Sequence, residues 1–181
     1  VLATTQELFY PDYSLLWILS WDASEVAVGG VLWQVVHVSG MDHRQPIMFF
    51  SHKLSVEAQK WHIFEKECYA GYFCLKKSEH LLRGHQFVME TDAKNLLAME
   101  KSAVDKVIRM CNYYKSFNAY LRHVPRTQNH VADYFTHLCD KGKLRPEDVD
   151  HSLLYLYNSY WSERDARDAA RSGTGKPGDV C

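Results

Sequence analysis

Long hydrophobic runs are missing from this 181-residue chain. No apolar stretch approaches the roughly 20 residues that a membrane-spanning helix needs, so the sequence predicts no membrane association. The first five residues lack the basic region and the apolar core of a secretory signal. The chain also starts without Met, and we expect it to be a piece of a longer protein.

Cysteine is scarce and irregularly placed. The five cysteines are odd in number and include no Cys-x-x-Cys pair, which favours reduced thiols in a cytosolic compartment over a disulfide framework. A zinc site is also disfavoured, because the nearest His/Cys grouping, at residues 137–139, offers too few ligands for tetrahedral coordination.

An overall excess of positive charge is absent, since the net charge is −1. The distribution is uneven, with a net charge of −4 over residues 1–50, +5 over 51–130 and −2 over 131–181. A basic central segment could contact phosphates while acidic groups elsewhere bind metal. Taken alone, ordinary solvated surface charge is the simpler interpretation.

What the chain does have is a pattern of strands followed by helices, with the 46% hydrophobic content of a globular protein. Strand-forming residues predict three strands, at 15–21, 26–38 and 46–51, with a turn at 39–42. Gly29 and Gly30 allow a bulge or a close backbone approach in the second strand. These strands predict an antiparallel meander.

Beyond residue 55 the apolar spacing becomes that of helices. Ser55 is a suitable N-cap for a long helix from 56 to about 80, and Gly84 is a suitable residue to end it. The remaining elements are predicted as a strand at 86–91, helices at 95–99 and 105–117, a strand at 119–124 and a helix at 128–139 with Asn129 as its cap. This order predicts an α/β (α+β mixed) fold with a mixed sheet covered by helices.

Carboxylates occupy positions where apolar residues are expected. Asp22 and Asp92 each end an apolar strand, where a side chain often faces a functional crevice and otherwise is a solvated strand cap. Glu67 interrupts the apolar face of the long helix, whereas Glu65 points away and is expected to be an ordinary surface residue. A buried Glu67 requires a cation, either a metal ion or a paired Lys. Asp133 is of interest only as a fourth acidic group.

Four carboxylates from separate segments could converge on one site. Oxygen ligands select hard cations such as Mg²⁺, and two such ions about 4 Å apart can hold an attacking water and a leaving oxygen during phosphodiester hydrolysis. Sequence spacing alone leaves this convergence open.

At this point the chain resembles a known family, the ribonuclease H domain of gypsy-type LTR retrotransposon Pol polyproteins. The resemblance covers roughly residues 7 to 138, and its motifs occur in the family's order. They are Asp22-Ala23-Ser24 followed by Gly30-Val31-Leu32-Trp33-Gln34, then Phe50-Ser51-His52-Lys53-Leu54-Ser55, Glu65-Lys66-Glu67, Thr91-Asp92-Ala93-Lys94-Asn95-Leu96, and Val124-Pro125 leading to Asn129-His130-Val131-Ala132-Asp133.

The resemblance implies a ribonuclease H-like fold, a mixed five-stranded sheet flanked by helices. It also implies that Asp22, Glu67, Asp92 and Asp133 are the catalytic residues and the ligands of two Mg²⁺ ions, for which Mn²⁺ can substitute. The chain departs from the family pattern at Trp21, usually Thr, in the less glycine-rich 27–29 stretch, at Arg126, usually Gly, and at 134–137, usually small residues followed by Ser-Arg.

Other side chains are candidates for contact with nucleic acid, namely Ser24, Lys53, Lys94 and Arg126. His130 is a candidate auxiliary catalytic residue, although an exposed or capping role is the alternative, and His123 lies in the same neighbourhood. RNA selectivity is expected from contacts to 2′-hydroxyl groups.

The implied function is cleavage of the RNA strand of RNA–DNA hybrids during reverse transcription, without a small-molecule cofactor. The implied partners are the hybrid and a reverse transcriptase domain upstream in the same polyprotein, with integrase downstream. We expect residues 1–12 to be a connector, 13–140 the ribonuclease H domain and 141–181 a C-terminal extension. The expected location is a cytoplasmic virus-like particle, with the nucleus as an alternative.

Two other functions stay open. A catalytically inactive or domesticated ribonuclease-H-like module would bind nucleic acid or connect domains, which the altered residues after Asp133 favour and the four carboxylates oppose. A DNA-cutting enzyme on the same fold, such as an integrase core, typically has three carboxylates and different surrounding motifs.

Overall fold

A computed structural model of the chain describes residues 8–137. Five strands form one mixed sheet in the order β3-β2-β1-β4-β5. β2 is antiparallel to both of its neighbours, β1 and β3, and β4 and β5 run parallel to β1. The strands are β1 Leu16–Ala23, β2 Ala27–Val38, β3 Met41–Lys53, β4 Phe87–Thr91 and β5 Ala119–His123.

Three α-helices cover the two faces of this sheet. They are α1 Ile63–Leu82, α2 Asp105–Tyr114 and α3 His130–His137, with short 3-10 helices at Ala58–Lys60, Lys94–Lys101 and Arg126–Gln128. The predicted α/β class and mixed five-stranded sheet are confirmed. No helix within residues 8–137 is long and apolar enough to cross a membrane.

The main core lies between the sheet and the helices α1 and α2. Trp17, Leu19 and Trp21 alternate along β1 and pack against Cys68 and Leu75 of α1, all of them fully buried. The other face of β1 and β2 carries a smaller cluster, Ile18, Val31 and Trp33, against which Val131 and Phe135 of α3 pack. Phe135 thus anchors α3, which explains an aromatic residue where the family usually has a small one.

Two glycines of β2 permit close contacts on opposite sides of the sheet. A Cβ atom on Gly29 would lie 2.7 Å from the carbonyl carbon of Phe135 in α3, and one on Gly30 would lie 2.7 Å from Cys74 Sγ in α1. The expected close approach therefore occurs at Gly29 and Gly30, while the register shift of β2 lies further along, between Leu32 and Trp33.

Two predicted boundaries were wrong. β3 begins at Met41 because Ser39 and Gly40, both with positive φ, form a tight turn that continues the pairing directly from Val38 to Met41. α1 begins at Ile63, seven residues later than expected, because His62 and not Ser55 caps it.

The cap of α1 is reciprocal. The His62 imidazole accepts a hydrogen bond from Phe64 N at 3.3 Å, and the Glu65 carboxylate accepts one from His62 N at 3.1 Å. Glu65 is therefore not an ordinary surface residue, and it also pairs with Lys106 at 3.0 Å. The Ser55 hydroxyl instead accepts a hydrogen bond from Ala58 N, at the start of the preceding 3-10 helix.

The remaining predictions differ in detail. The helix expected at 95–99 is a 3-10 helix with a kink at Ala98. Gly84 has a φ of +79° directly after the C-cap Arg83, as expected for the residue that ends α1. The end of the last predicted helix, at 138–139, and the C-terminal extension lie outside the described residues.

Candidate active site

Two aspartates meet at the carboxyl ends of neighbouring parallel strands. Asp22 is the penultimate residue of β1, and Asp92 directly follows β4. β1 and β4 pair in parallel, with Ser20 opposite Glu90, so the next two steps of both strands bring Asp22 and Asp92 to the same edge of the sheet. Strand pairing therefore accounts for their proximity.

Glu67 joins this pair from the first turns of α1. One ligand atom from each of Asp22, Glu67 and Asp92 lies within 4.8 Å of the other two. Asp22 and Glu67 are each 7% exposed, and Asp92 is half-buried. We call these three residues the acidic cluster.

The acidic cluster has no counter-charge at ion-pair distance among the residues that the structure describes. Lys66, the adjacent candidate for an ion pair with Glu67, is buried but donates to the backbone carbonyl of Glu25 at 2.9 Å. The Oε2 atom of Glu67 is buried without a hydrogen-bond partner. The alternative of a Lys–Glu67 pair is therefore wrong for this structure.

Mutual repulsion and burial favour the protonated form of these carboxyl groups. Burial, followed by the charges of Asp92 and Asp133, raises the pKa of Asp22 to about 7. Burial and the charges of Asp22 and Asp92 raise the pKa of Glu67 to about 9. Burial also raises the pKa of Asp92. An oxygen-only site with such groups fits a hard divalent cation, which would favour their ionised forms.

Asp133, the fourth predicted residue, lies on α3 beside the acidic cluster but outside the group of three. Its charge contributes to the raised pKa values of Asp22 and Asp92. Its Oδ1 atom accepts a hydrogen bond from Arg126 Nη2 at 2.9 Å and lies 3.7 Å from His137 Nε2. Asp133 is thus near the other carboxylates and is already paired with the guanidinium of Arg126.

Asn129 connects α3 to the strand that bears Asp22. Its backbone carbonyl accepts from Asp133 N, as expected at a helix start, but its side-chain Nδ2 donates to the carbonyl of Trp21 at 2.9 Å. The predicted capping by this side chain is therefore replaced by a tie between α3 and β1, which fixes Asp133 relative to Asp22.

The candidate nucleic-acid contacts fall into two groups. Lys53 is exposed at the end of β3, Lys94 is exposed at the start of the 3-10 helix that follows β4, and Arg126 is exposed while paired with Asp133. The Ser24 hydroxyl is engaged within the β1–β2 turn, where it accepts from Ala27 N at 3.0 Å and donates to Ala27 O. Ser24 is therefore a turn residue in this structure.

The two histidines near the site differ in position. His123 Nε2 lies 3.1 Å from the backbone carbonyl of Asp92, so this nitrogen must donate, and the ring contacts the segment that bears Asp92. His130 Nδ1 lies 3.3 Å from the carbonyl of Thr127, a contact within the turn that starts α3. The roles predicted for His130, auxiliary catalysis or capping, therefore stay predictions.

Sequence reasoning missed Glu90, a carboxylate two residues before Asp92. It is 1% exposed and accepts hydrogen bonds from Arg44 at 2.7 and 3.1 Å, from Arg122 Nε at 3.0 Å, and from Ser20 at 3.2 Å. Its place inside the strand predicted at 86–91, two residues before Asp92 and so on the same face, was a usable signal, because a carboxylate within a strand is unusual.

Comparison with known proteins decides the family. A family model described as the RNase H-like domain found in reverse transcriptase matches residues 12–120. The chain belongs to this family. The matched region of this RNase H-like domain includes the acidic cluster and ends before Asp133.

The curated relatives that match this chain are transposon polyproteins. The chain is 28% identical over 153 residues to the transposon Tf2-3 polyprotein of Schizosaccharomyces pombe, and the same holds for the Tf2-4 polyprotein. The match covers 81% of this chain but only 11% of each polyprotein.

Solved structures share the fold at low identity. The foamy viral protease-reverse transcriptase in complex with an RNA/DNA hybrid matches with a TM-score of 0.51 and 17% identity, covering 65% of this chain and 16% of that one. LC11-RNase H1, isolated from compost, matches with a TM-score of 0.50 and 14% identity, covering 66% of this chain and 91% of that one. These likenesses establish the RNase H fold.

Proposed function

We propose that this domain cleaves the RNA strand of RNA–DNA hybrids with the help of two Mg²⁺ ions. The observation behind the proposal is the acidic cluster, three buried or half-buried carboxylates from β1, α1 and β4 without a paired cation at ion-pair distance. Burying such groups is costly unless a cation neutralises them. The hybrid-binding foamy viral enzyme and LC11-RNase H1 support the choice of substrate by analogy of fold.

Asp22, Glu67 and Asp92 would hold the metal together with Asp133. Bound divalent ions would supply a water of lowered pKa for attack on the scissile phosphate and would stabilise the departing 3′ oxygen. Asp22 and Asp92 are held by the paired strands, and Asn129 ties the helix of Asp133 to β1. Rigid placement of the carboxylates on sheet and helix suits a reaction that depends on metal position.

The biological role we propose is removal of the RNA template during reverse transcription in a gypsy-type retrotransposon. The Tf2 relatives support this context, in which a reverse transcriptase domain of the same polyprotein would be the partner. Lys53 and Lys94, exposed at the end of β3 and just after β4 near the acidic cluster, are suited to contact phosphates.

The test is cleavage of a hybrid with a labelled RNA strand by the 181-residue chain in Mg²⁺. We expect RNA fragments from the wild type, none after addition of a chelator, and none from Asp92→Asn. Asp42→Asn is the matched control, because Asp42 is exposed on the β2–β3 hairpin and pairs only with His37 there. An inert wild type that still binds the hybrid would contradict the proposal.

The second candidate is a non-catalytic module that binds nucleic acid. The observation in its favour is the ion pair of Arg126 with Asp133, which occupies the fourth carboxylate without any metal. Metal titration separates the two functions, because a binding module has no tight two-metal site and a metal-dependent nuclease has one.

A further inference from the structure

Arg126 is an exposed cation held against a predicted metal ligand. It begins the 3-10 helix Arg126–Gln128 that joins β5 to α3, and its backbone carbonyl accepts from Asn129 N at 2.9 Å. Its side chain is 75% exposed, yet its guanidinium lies 2.9 Å from Asp133 Oδ1. The backbone of Arg126 is therefore fixed, while its side chain has room to move.

The charge of Arg126 acts on the whole site. Besides pairing with Asp133, it lowers the pKa values of Asp22, Glu67 and Asp92 against the stronger effect of burial. Among the described residues it is the arginine whose charge reaches all of these carboxyl groups. Arg126 thus supplies part of the positive charge that a metal ion would otherwise supply.

A divalent ion and this guanidinium compete for the same place. The Oδ1 atom of Asp133 contacts the guanidinium of Arg126 and is also the atom nearest to His137 Nε2. Arg126 and His137 therefore approach the same carboxylate oxygen. A metal ion that used Asp133 would have to displace the guanidinium from this atom or bind beside a like charge, and either lowers the affinity for metal. Because an exposed ion pair is weak, displacing the Arg126 guanidinium from Asp133 costs little free energy.

We propose that Arg126 is a displaceable counter-ion of the metal site, which holds Asp133 in the metal-free protein and weakens the binding of the ion that uses Asp133. This rests on the proposed function, because it assumes that Asp133 is a metal ligand. The acidic cluster has no such paired cation in the part of the chain that the structure describes. Two ions should therefore bind with unequal affinity, and Arg126 should govern the weaker one.

The experiment is a titration of the 181-residue chain with Mn²⁺ alone, in which electron paramagnetic resonance counts the free ion. Arg126→Gln should tighten the weaker binding step about fivefold, the factor lost when an exposed ion pair is removed, and change the tighter step less. Arg126→Lys keeps the charge without the planar fork and should give a smaller gain. Urea unfolding of each metal-free variant should lie within about 1 kcal/mol of the wild type, the most that an exposed ion pair contributes.

Arg109→Gln is the matched control. It removes the same charge from an exposed arginine on α2, whose Nε donates to the carbonyl of Asp105, and it should leave both dissociation constants unchanged. Two Mn²⁺ ions that bind with the same constants in wild type and Arg126→Gln would overturn the inference and leave the proposed function standing. Failure of both proteins to bind Mn²⁺ would overturn the proposed function and the inference together.

Discussion

Glu90 is a buried carboxylate that lies only two residues before Asp92 of the acidic cluster, yet its surroundings differ from those of the cluster. Glu90 of β4 faces Arg44 and Arg122, whereas Asp22, Glu67 and Asp92 face one another. Burial alone would raise the pKa of Glu90, yet the charges and hydrogen bonds of the two arginines lower it. Burial and neighbouring carboxylates instead raise the pKa of Glu67 to about 9.

Burial alone does not distinguish a carboxylate that pairs with arginines inside the protein from one that is a candidate metal ligand. Arg44 and Arg122 form ion pairs with Glu90, so the charge of Glu90 is neutralised within the folded chain. Within residues 8–137 the acidic cluster has no such cation at ion-pair distance, and we propose that a metal ion supplies it. Substitution, a change of pH and added metal should therefore affect the acidic cluster and Glu90 in opposite ways.

The largest expected difference is in activity. Glu67→Gln should reduce hybrid cleavage by about two orders of magnitude or more, because a neutral amide is a poor ligand for a hard cation. Glu90→Gln should change the rate per folded molecule by no more than about threefold, since its partners are arginines, a serine and no metal. Initial rates, normalised to the fraction folded, test this, and equal losses in both variants would break the comparison.

The second largest effect is on stability, and here Glu90 is the more sensitive position. Glu90→Gln should destabilise the fold by about 3 kcal/mol, because it leaves Arg44, whose side chain is 9% exposed, without its buried carboxylate. Replacing both Glu90 and Arg44 with Leu should cost much less than the single change. Urea unfolding measures both, and a double variant as unstable as Glu90→Gln would contradict the assignment.

The pH dependence of the metal-free protein should reveal the raised pKa values. A carboxyl group whose pKa is raised on folding loses stabilising effect as pH rises, from about 4 to about 7 for Asp22 and from about 4.5 to about 9 for Glu67. Each such group contributes a slope of about 1.4 kcal/mol per pH unit within its window. Urea unfolding in a chelator at pH 5, 7 and 9 should show this fall.

Two controls belong to that experiment. Glu67→Gln should flatten the fall in stability above pH 7, since the remaining window of Asp22 ends there. Saturating Mg²⁺ should restore stability at pH 8 in the wild type, because a ligand that binds only the folded state stabilises it. A stability that rises between pH 5 and 9 without metal would show that the carboxylates are neutralised in some other way.

The smallest effect separates the two arginines of Glu90. Arg122 is 46% exposed and Arg44 9% exposed. Arg122→Gln should therefore cost at most about 1 kcal/mol, since solvent screens an exposed pair, and Arg44→Gln should cost about 2–3 kcal/mol. The same unfolding series tests the ranking, and the reverse order would show that the exposed arginine is the principal partner.

The sequence allowed the acidic cluster to be predicted for local reasons. Asp22 and Asp92 end apolar strands, and Glu67 breaks the apolar face of a helix, so each was visible without its neighbours. Their proximity depends on β1 and β4 being adjacent and parallel, a pairing that the spacing of the residues left open. Their roles as metal ligands stay a prediction.

The features that were missed depend on distant partners. Glu90 is stabilised by Arg44, 46 residues away, and by Arg122, 32 residues away, and no local pattern announces such a pair. The pairing of Arg126 with Asp133 was not foreseen, and the role of Arg126 as a phosphate contact stays a prediction. The start of α1 was misplaced because a histidine with a glutamate three residues later formed the cap in place of Ser55.

The most direct test of the account is a hybrid in which the RNA and DNA strands carry different labels, incubated with the 181-residue chain in Mg²⁺. The account predicts cuts in the RNA strand alone, lost in a chelator, and no cuts in a DNA duplex of the same sequence. Cleavage of the DNA strand or of the duplex would contradict it, as would RNA cuts that persist without metal.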